Sequence, residues 1–399
     1  MRHQVKTIGL LLSLLVCACS TTTLAQDKIG YSSTVVDVPS DISPPAIDAT
    51  AWVLMEMNSG WIVANNNANQ PLPPASITKL MSNYVFYQKL AAGDISMDDE
   101  VPISEHAWRA EGSRMFANVN SKIELQHLLK SIVIQSGNDA AIAMAEYVGG
   151  TEAVFASLMN KAAKELGLRN SHFINSTGLP ADGHTMSAAD IAVLSAAIIR
   201  EFPSNYAWYK EKSYTHNDIT QYNRNKLLWR DSSVDGLKTG HTQAAGYCLV
   251  GSAMRNGQRW IAVVLGAESQ QIREDQVLSL LNYGFTAYES TSVLDTQGGV
   301  ASADVYFGQD SQIRLQSPYP VNIVVPKGRK KDVQVELRIS PYYEAPINAG
   351  QSMGVASVSL DGKLLTDVPL VAMSSITQGG LWRRAKDSVR LWVREFLAD

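Results

Sequence analysis

The sequence predicts an α/β (α+β) domain with an antiparallel sheet and a helical lobe, followed by a small all-β domain and an amphipathic C-terminal helix. Strand patterns lie at both ends of the segment 49–292, and helical periodicity fills its middle. Short alternating runs between Pro, Gly and Asp turns begin near residue 295. A periodic aromatic and basic stretch occupies residues 381–397.

Length and charge limit the function classes. The chain has 399 residues, of which 45% are hydrophobic and 18% charged, with a formal net charge of -4. This length exceeds one ordinary domain, and the charge gives no basic field, so we expect no nucleic-acid partner. The expected segments are a signal peptide (1–25), a leader (26–48), the α/β domain (49–292), the all-β domain (293–376) and the amphipathic helix (377–399).

The N-terminus is typical of an export signal. Arg2 and Lys6 precede an apolar run from Ile8 to Val16 that is too short to span a bilayer. Two processing sites remain open. The small-residue site ending at Ala25 is favoured, and a lipoprotein-like pattern around Cys19 is the alternative.

The cysteine content argues against a disulfide or metal framework. Cleavage after Ala25 would leave only Cys248, which lies in an apolar run and is typical of a buried small hydrophobic residue. The sequence contains neither a His-Glu-x-x-His pattern nor paired cysteines. We therefore expect no metal and no cofactor.

The elements of the α/β domain follow from turn and periodicity signals. Asn58-Ser59-Gly60 and Asn256-Gly257 predict β-hairpin turns, and Pro73-Pro74 predicts the start of a helix. The predicted strands are Trp52–Met57, Trp61–Ala64, Tyr247–Met254 and Arg259–Leu265. The predicted helices are Ile123–Ile134, Ala140–Tyr147, Glu152–Leu166, Ala188–Arg200 and Gln276–Tyr288.

The C-terminal third changes in pattern. Its predicted strands, typical of a small sandwich or barrel, are Val321–Val325, Val333–Ile339, Val355–Leu360 and Val368–Met373. At 100° per residue, Trp382, Trp392 and Phe396 share an arc opposite the arginines of the final helix. Such a helix binds a membrane interface, and Gly379-Gly380 favours a detached anchor over a docked helix.

Ser76 and Lys79 form the first candidate catalytic group. They are three positions apart where a helix begins, so both project from the same face. A serine hydroxyl needs a base to become a nucleophile, and a lysine serves once its pKa is lowered. Alone, the pattern is more typical of a capping serine followed by a surface lysine.

Two further motifs follow in order along the chain. Ser136-Gly137-Asn138 comes after an apolar helical run, where a glycine turn would expose a hydroxyl and an amide. Lys238-Thr239-Gly240 lies on a predicted strand, where glycine permits close approach of a substrate backbone. Each motif alone fits an ordinary turn or strand, and their combination in this order with Ser76 and Lys79 carries the functional prediction.

This ordered set resembles the signature of penicillin-binding proteins and serine β-lactamases. From about Ala51 to the C-terminus, the chain is similar to D-alanyl-D-alanine carboxypeptidases of the low-molecular-mass penicillin-binding type. The resemblance implies a transpeptidase-like fold, removal of the terminal D-alanine from peptidoglycan pentapeptides, and covalent inhibition by β-lactams. It also implies a location on the periplasmic face of a bacterial inner membrane, with residues 381–397 bound to lipid.

The resemblance implies a catalytic role for several residues. Ser76 would be the nucleophile that carries the acyl group, and Lys79 its general base. Ser136 and Lys238 would relay the proton to the departing D-alanine. The backbone N–H groups of Ser76 and His241 would form the oxyanion hole. No Ser-His-Asp arrangement is evident, so the His241 side chain is not predicted to be catalytic.

Substrate binding is implied for a second set. Asn138 would hold the substrate amide. Thr239 and Lys238, helped by Arg273, would bind the terminal carboxylate, and Gly240 would let the substrate approach.

Other activities remain open from sequence. A β-lactamase needs a carboxylate to activate the deacylating water, but the loop Asn175–Ser187 contains Asp182 and no glutamate. A D,D-endopeptidase could use the same site on a cross-linked peptide. A non-catalytic wall-binding protein is the alternative from another class, although a binder does not need both Lys79 and Lys238.

Overall fold

The computed structural model describes residues 33–294, 296 and 298–398. The predicted signal peptide and both of its candidate processing sites lie outside the described residues. The strands of the first part are β1 (Thr34–Val35), β2 (Ala51–Glu56), β3 (Trp61–Asn66), β4 (Glu100–Pro102), β5 (Lys122–Glu124), β6 (Ser213–His216), β7 (Ile219–Tyr222), β8 (Val234–Thr242), β9 (Gly246–Arg255) and β10 (Gln258–Ala267). Its helices are α1 (Lys79–Ala92), α2 (Glu105–Trp108), α3 (Leu125–Ile134), α4 (Asn138–Gly149), α5 (Glu152–Glu165), α6 (Ala188–Glu201), α7 (Pro203–Tyr206), α8 (Leu227–Arg230) and α9 (Gln270–Ala287).

A central sheet organises this part. In the described chain its strand order is β1-β3-β2-β10-β9-β8, and all pairs except β1 with β3 are antiparallel. The β9–β10 hairpin turns at Asn256 and Gly257, whose φ angles of 50° and 79° suit a two-residue hairpin turn. Strand β8 therefore lies at one edge of the sheet, and it carries Lys238, Thr239 and Gly240.

The sheet separates two hydrophobic layers. Successive side chains of β2 alternate between them, so Val53 and Met55 pack with the helical lobe, whereas Leu54 packs with the opposite layer. That opposite layer contains fully buried Trp260 and residues of α9 such as Leu281. The helical lobe between β3 and β8 confirms the predicted insertion into an antiparallel sheet.

Two elements differ from the sequence prediction. Helix α9 begins at Gln270 instead of Gln276, because the Ser269 hydroxyl accepts a hydrogen bond from the Ile272 amide at 3.1 Å and caps the helix. Strand β1 lies inside the segment predicted as an unstructured leader, where its pairing with β3 is too short to give a periodic signal. The other predicted helices and strands agree with the observed elements to within a few residues.

The C-terminal part is all-β, as predicted. Its strands are β11 (Tyr288–Leu294), β12 (Ala301–Tyr306), β13 (Gln312–Gln316), β14 (Val321–Pro326), β15 (Val333–Ile339), β16 (Tyr342–Glu344), β17 (Ser352–Leu360) and β18 (Lys363–Ala372). In the described residues, β11 pairs with β14, and the remaining strands form a sheet in the order β15-β17-β18-β13-β12-β16.

The last helix, α10 (Leu381–Ala398), lies against the β domain through its charged side. The Asp387 carboxylate accepts a hydrogen bond from the Phe307 amide at 2.9 Å, and the Arg394 guanidinium lies 5.3 Å from the centre of the Tyr342 ring. Gly379 donates a backbone hydrogen bond to the Phe307 carbonyl at 2.7 Å. The expected detachment at the two glycines is therefore wrong for the start of the helix, since backbone and side-chain hydrogen bonds fix it.

The apolar side of α10 faces away from the β domain. Trp382 is 92% exposed, Phe396 70% and Trp392 65%, although an amphipathic helix that packs on its own domain normally buries such side chains. No helix among the described residues is long and apolar enough to span a bilayer.

Candidate active site

The sequence places Ser76 on a tight turn directly before α1. Ala75–Thr78 form one turn of 3-10 helix, and Lys79 is the first residue of α1. The three-residue spacing brings Ser76 Oγ to 3.1 Å from Lys79 Nζ, as the sequence predicts. Ser76 is partly exposed and lines a cleft of about 720 Å³, whereas Lys79 is fully buried beneath it.

The Lys79 ammonium has an acceptor for each of its protons among the described residues. Besides Ser76, Nζ donates to Asn138 Oδ1 at 2.6 Å and to the Thr177 carbonyl at 2.8 Å. Burial, with a smaller contribution from the positive charge of Arg224, lowers the pKa of Lys79 to about 7. Near neutral pH, a substantial fraction of this lysine is therefore the free amine, which can accept the Ser76 proton.

Asn138 joins the second motif to the first. Its Oδ1 faces Lys79, and its Nδ2 donates to the Glu111 carbonyl at 2.5 Å. The first residue of α4 is thus engaged at both ends of its amide inside the protein. In addition to the implied contact with a substrate amide, this arrangement gives Asn138 a direct part in fixing Lys79.

Ser136 and Lys238 are both buried, and Ser136 lines the cleft. Ser136 has a φ of 72°, and its Oγ has no hydrogen-bond partner within the described part of the chain. Lys238 Nζ donates to the Thr239 carbonyl at 3.1 Å. Burial lowers the pKa of Lys238 well below its usual range, and the nearby charge of Lys79 lowers it further. The Ser136 hydroxyl is therefore available to form a hydrogen bond, and the neutral amine form of Lys238 is favoured.

The edge strand β8 forms one wall of the cleft. Thr239, Gly240 and His241 all line it, and the exposed His241 ring lies 4.0 Å from the Tyr247 ring, centre to centre. An edge strand presents unpaired backbone groups on its free side, which an extended peptide can pair with. The cleft is therefore suited to a peptide ligand.

Gly240 also has a packing role that sequence reasoning missed. A Cβ added there would lie 2.9 Å from the Pro74 carbonyl oxygen and 3.2 Å from the Ala75 Cβ. The absence of a side chain lets β8 lie directly against the turn that carries Ser76.

Arg273 is a buried residue of α9. Its Nη1 donates to the carbonyls of Gly240 and Cys248 at 3.0 and 3.2 Å, and it lines the cleft. Its Nε is buried without a hydrogen-bond partner in the described residues. Arg273 therefore fixes β8 and β9 while keeping its positive charge at the wall of the site.

Arg224 is the main site residue that sequence reasoning missed. It lines the cleft, and its guanidinium donates to the Gln135 carbonyl at 2.9 Å and to Ser113 Oγ at 2.8 Å. The residues around it form no motif and carry no periodic signal, so the sequence offered no sign of its position. With Lys226 and Arg273, it makes the cleft wall basic, and no Asp or Glu lines this cleft among the described residues.

The loop Asn175–Ser187 closes the remaining side. Thr177, Gly178 and Leu179 line the Ser76 cleft, but Asp182 lines a separate cavity of about 290 Å³. The one acidic residue of this loop is thus not placed to activate a water molecule in the cleft.

Cys248 behaves as a structural residue. It is fully buried, and burial raises the pKa of its thiol to about 11. A thiol of that pKa is not a nucleophile at neutral pH. No cluster of three or more metal-ligating side chains occurs in the part of the chain that the structure describes.

Comparison with known proteins assigns this site to a family. The family profile for D-alanyl-D-alanine carboxypeptidase matches residues 39–269. The chain belongs to this family. A second profile, for the C-terminal domain of penicillin-binding protein 5, matches residues 288–378. The two profiles together cover most of the α/β part and the β domain.

Individual proteins named as carboxypeptidases or penicillin-binding proteins are similar over 61–90% of this chain. D-alanyl-D-alanine carboxypeptidase DacC from Escherichia coli strain K12 is 37% identical over 369 residues, covering 90% of this chain and 92% of that protein. Penicillin binding protein 5 from Haemophilus influenzae matches with a TM-score of 0.82 and 36% identity, covering 84% of this chain and 100% of that one. Penicillin-binding protein D2 from Listeria monocytogenes, solved in an ampicillin-bound form, matches with a TM-score of 0.57 and 27% identity, covering 61% of this chain and 100% of that one.

Gly178 allows a direct test of how the loop packs on the catalytic turn. Its φ is +82°, and an added Cβ would lie 1.8 Å from the Ala75 carbonyl oxygen. We expect Gly178→Ala to lower the free energy of unfolding by about 3 kcal/mol or more. Gly183→Ala is a matched control, since its φ is +80° but no atom lies within 4 Å of the added Cβ. Only the left-handed backbone cost of about 1–2 kcal/mol applies there. Equal losses in urea unfolding would contradict the predicted contact.

Proposed function

We propose that this protein is a serine-type D-alanyl-D-alanine carboxypeptidase that removes the terminal D-alanine from peptidoglycan pentapeptides. The observation that supports this most directly is the contact between Ser76 Oγ and the fully buried amine of Lys79 in a peptide-sized cleft. The family and its member DacC from Escherichia coli are named for the same activity.

Acylation would begin at Ser76. Lys79 Nζ, as the free amine, takes the hydroxyl proton while Oγ attacks the carbonyl carbon between the last two D-alanines. The backbone N–H groups of Ser76 and His241 donate to the oxygen that becomes negative. The C–N bond then breaks, and a proton passes from Lys79 through Ser136 and Lys238 to the amine of the departing D-alanine. The product is an ester on Ser76.

Deacylation would reverse these roles with water. The same amine removes a proton from water, which attacks the ester carbonyl, and the proton returns to Ser76 Oγ. The balanced reaction consumes one water molecule and releases D-alanine and a shortened peptide. With no carboxylate lining the cleft among the described residues, this step lacks the usual β-lactamase base. A β-lactam acyl-enzyme would then be long-lived, which agrees with covalent inhibition.

The charge of the cleft favours the substrate terminus. A peptide ending in D-alanine carries a free carboxylate, and the wall contains Arg224 and Arg273 without an opposing acid among the described residues. Thr239, on the strand that Arg273 fixes, would complete the carboxylate site, and Lys238 would contribute a hydrogen bond from its amine. Gly240 would let the peptide lie close to β8. Asn138 would share its amide between Lys79 and the substrate.

We also propose that α10 binds the protein to the periplasmic face of the inner membrane after export through a cleaved signal peptide. The support is the direction of its two sides. The charged side contacts the β domain at Phe307 and Tyr342, so the exposed tryptophans of the other side remain free to enter a lipid interface.

The activity is tested with two substrates. Purified protein should remove one D-alanine from a pentapeptide muropeptide monomer, as measured by mass spectrometry. Ser76→Ala should keep its thermal unfolding temperature but lose both this activity and covalent labelling by a fluorescent penicillin, because the nucleophile is absent. Persistent labelling of Ser76→Ala would contradict the assignment. Cleavage of a cross-linked dimer alone would indicate an endopeptidase, and no reaction with any substrate or penicillin would indicate a wall-binding protein.

The pH dependence tests the base. Acylation by penicillin should rise with pH through about 7, because only the free amine of Lys79 accepts a proton. Arg224→Gln removes a charge that lowers the Lys79 pKa, so this rise should move to higher pH by about half a unit. Arg224 is exposed, and the shift should therefore weaken with added salt.

Two controls separate charge from shape. Arg224→Lys keeps the charge, and Lys226→Gln removes a different cleft cation that is not among the causes of the Lys79 shift. Both variants should keep the pH profile of the parent protein in stopped-flow labelling. A profile that moves equally in Lys226→Gln would show that Arg224 has no specific effect.

Membrane binding is tested on the exposed side of α10. Replacing both Trp382 and Trp392 with Ser should reduce co-sedimentation with vesicles of anionic phospholipid at least about tenfold, because each indole buries a large apolar area in the interface. Leu364→Ser is the matched control, since Leu364 is 54% exposed but lies on β18. Unchanged sedimentation of the double variant would contradict the proposed anchor.

A further inference from the structure

The loop that supplies the Thr177 carbonyl to Lys79 is connected to the catalytic turn by a histidine that the mechanism does not use. His184 is 4% exposed, and its Nε2 lies 2.8 Å from Thr78 Oγ1. Its Nδ1 accepts a hydrogen bond from the Ile174 amide at 3.2 Å. The ring therefore bridges the residue next to Lys79 and the start of the segment that contains Thr177.

These contacts specify one form of the ring. Nδ1 must be unprotonated to accept from the Ile174 N–H, so the neutral ring carries its proton on Nε2 and donates it to Thr78 Oγ1. Burial, with smaller contributions from the nearby His172 and Lys79, lowers the pKa of His184 to about 4. The ring is therefore neutral at neutral pH, and protonation would break the bond from Ile174.

The loop is otherwise tightly ordered around Thr177. Asn175 Oδ1 accepts from the amides of Thr177 and Gly178 at 3.2 and 2.7 Å. Ser82 Oγ donates to the Ser176 carbonyl at 2.6 Å. These contacts fix the local shape of the loop, whereas His184 connects it to the turn of Ser76.

We propose that His184 is a positioning residue, which holds the loop 174–178 where the Thr177 carbonyl accepts a proton of Lys79 and where the loop keeps water from that amine. This inference rests on the proposed function, since it requires Lys79 to act as the base. His184 does not contact Ser76 or the cleft that Ser76 lines.

The charges that face Lys79 come from several elements. Arg224 lowers its pKa, Asp139 of α4 and Glu152 of α5 raise it, and Lys238 of β8 interacts with it as a like charge. None of these groups changes when His184 is replaced. Because burial is the largest cause of the lowered Lys79 pKa, admitting water beside the amine should raise that pKa.

The test compares variants by the pH profile of penicillin acylation. His184→Ala should slow acylation at pH 7 by about tenfold or more and move its rise to higher pH by at least about half a unit. His184→Gln should restore most of the acylation rate and most of the pH profile. Its side-chain amide offers an acceptor and a donor, as the neutral histidine ring does. His172→Ala is the control, since this histidine also lies near His184 but is exposed and precedes the loop, so its replacement should leave rate and profile unchanged.

Thr78→Val supplies an independent measurement if His184→Ala does not fold. It removes the hydroxyl that receives the His184 proton and keeps the branched shape, so it should shift the profile in the same direction. The double variant of Thr78→Val and His184→Ala should acylate no more slowly than the slower single variant. Each change removes the same hydrogen bond between Thr78 and His184.

The outcomes separate this inference from the proposed function. Folded His184 and Thr78 variants with an unchanged profile, or with a slower rate but no upward shift, would overturn the positioning role. A parent protein whose acylation shows no rise near pH 7, or a Ser76→Ala variant that still labels, would instead overturn the proposed function.

Discussion

The burial of one ammonium group determines how the rest of this structure is arranged. Lys79 lies beneath the cleft, and a buried lysine requires a partner for each of its protons or a lowered pKa. Here both conditions hold, since Ser76, Asn138 and Thr177 supply acceptors from three separate segments. Those segments belong to the turn before α1, the start of α4 and the loop after α5. The fold must bring them together before any chemistry is possible.

The sheet provides the fixed surface for this convergence. Gly240 lets the edge strand lie against the turn of Ser76, and Gly178 lets the loop approach the same turn from another side. Arg273 holds β8 to β9 through two carbonyl oxygens. The turn that carries the nucleophile is therefore closely packed by two backbone segments, and Ser76 lines the cleft.

The sequence predicted most of the fold because the hairpin turns and apolar periodicity are local signals, as Asn256-Gly257 and the α6 segment illustrate. Residues from each of the three predicted motifs, among them Ser76, Asn138 and Gly240, line one cleft, and their predicted roles remain predictions. Arg224, Thr177 and His184 could not be predicted in this way, because their contributions depend on contacts between distant segments and, for Thr177, on a backbone carbonyl. The docking of α10 involves Asp387, which the periodicity of the sequence does not distinguish from an ordinary surface charge.

The orientation of α10 has a consequence for where the enzyme can work. On the proposed membrane location, a helix held to its own domain by the charged side, with the indoles exposed, would give the molecule one preferred face for adsorption. An adsorbed enzyme diffuses in two dimensions and keeps a constant height above the lipid surface. On the proposed membrane location, the active site would contact only a thin layer of the wall. The number of substrate molecules accessible to the enzyme would then scale with membrane area instead of compartment volume.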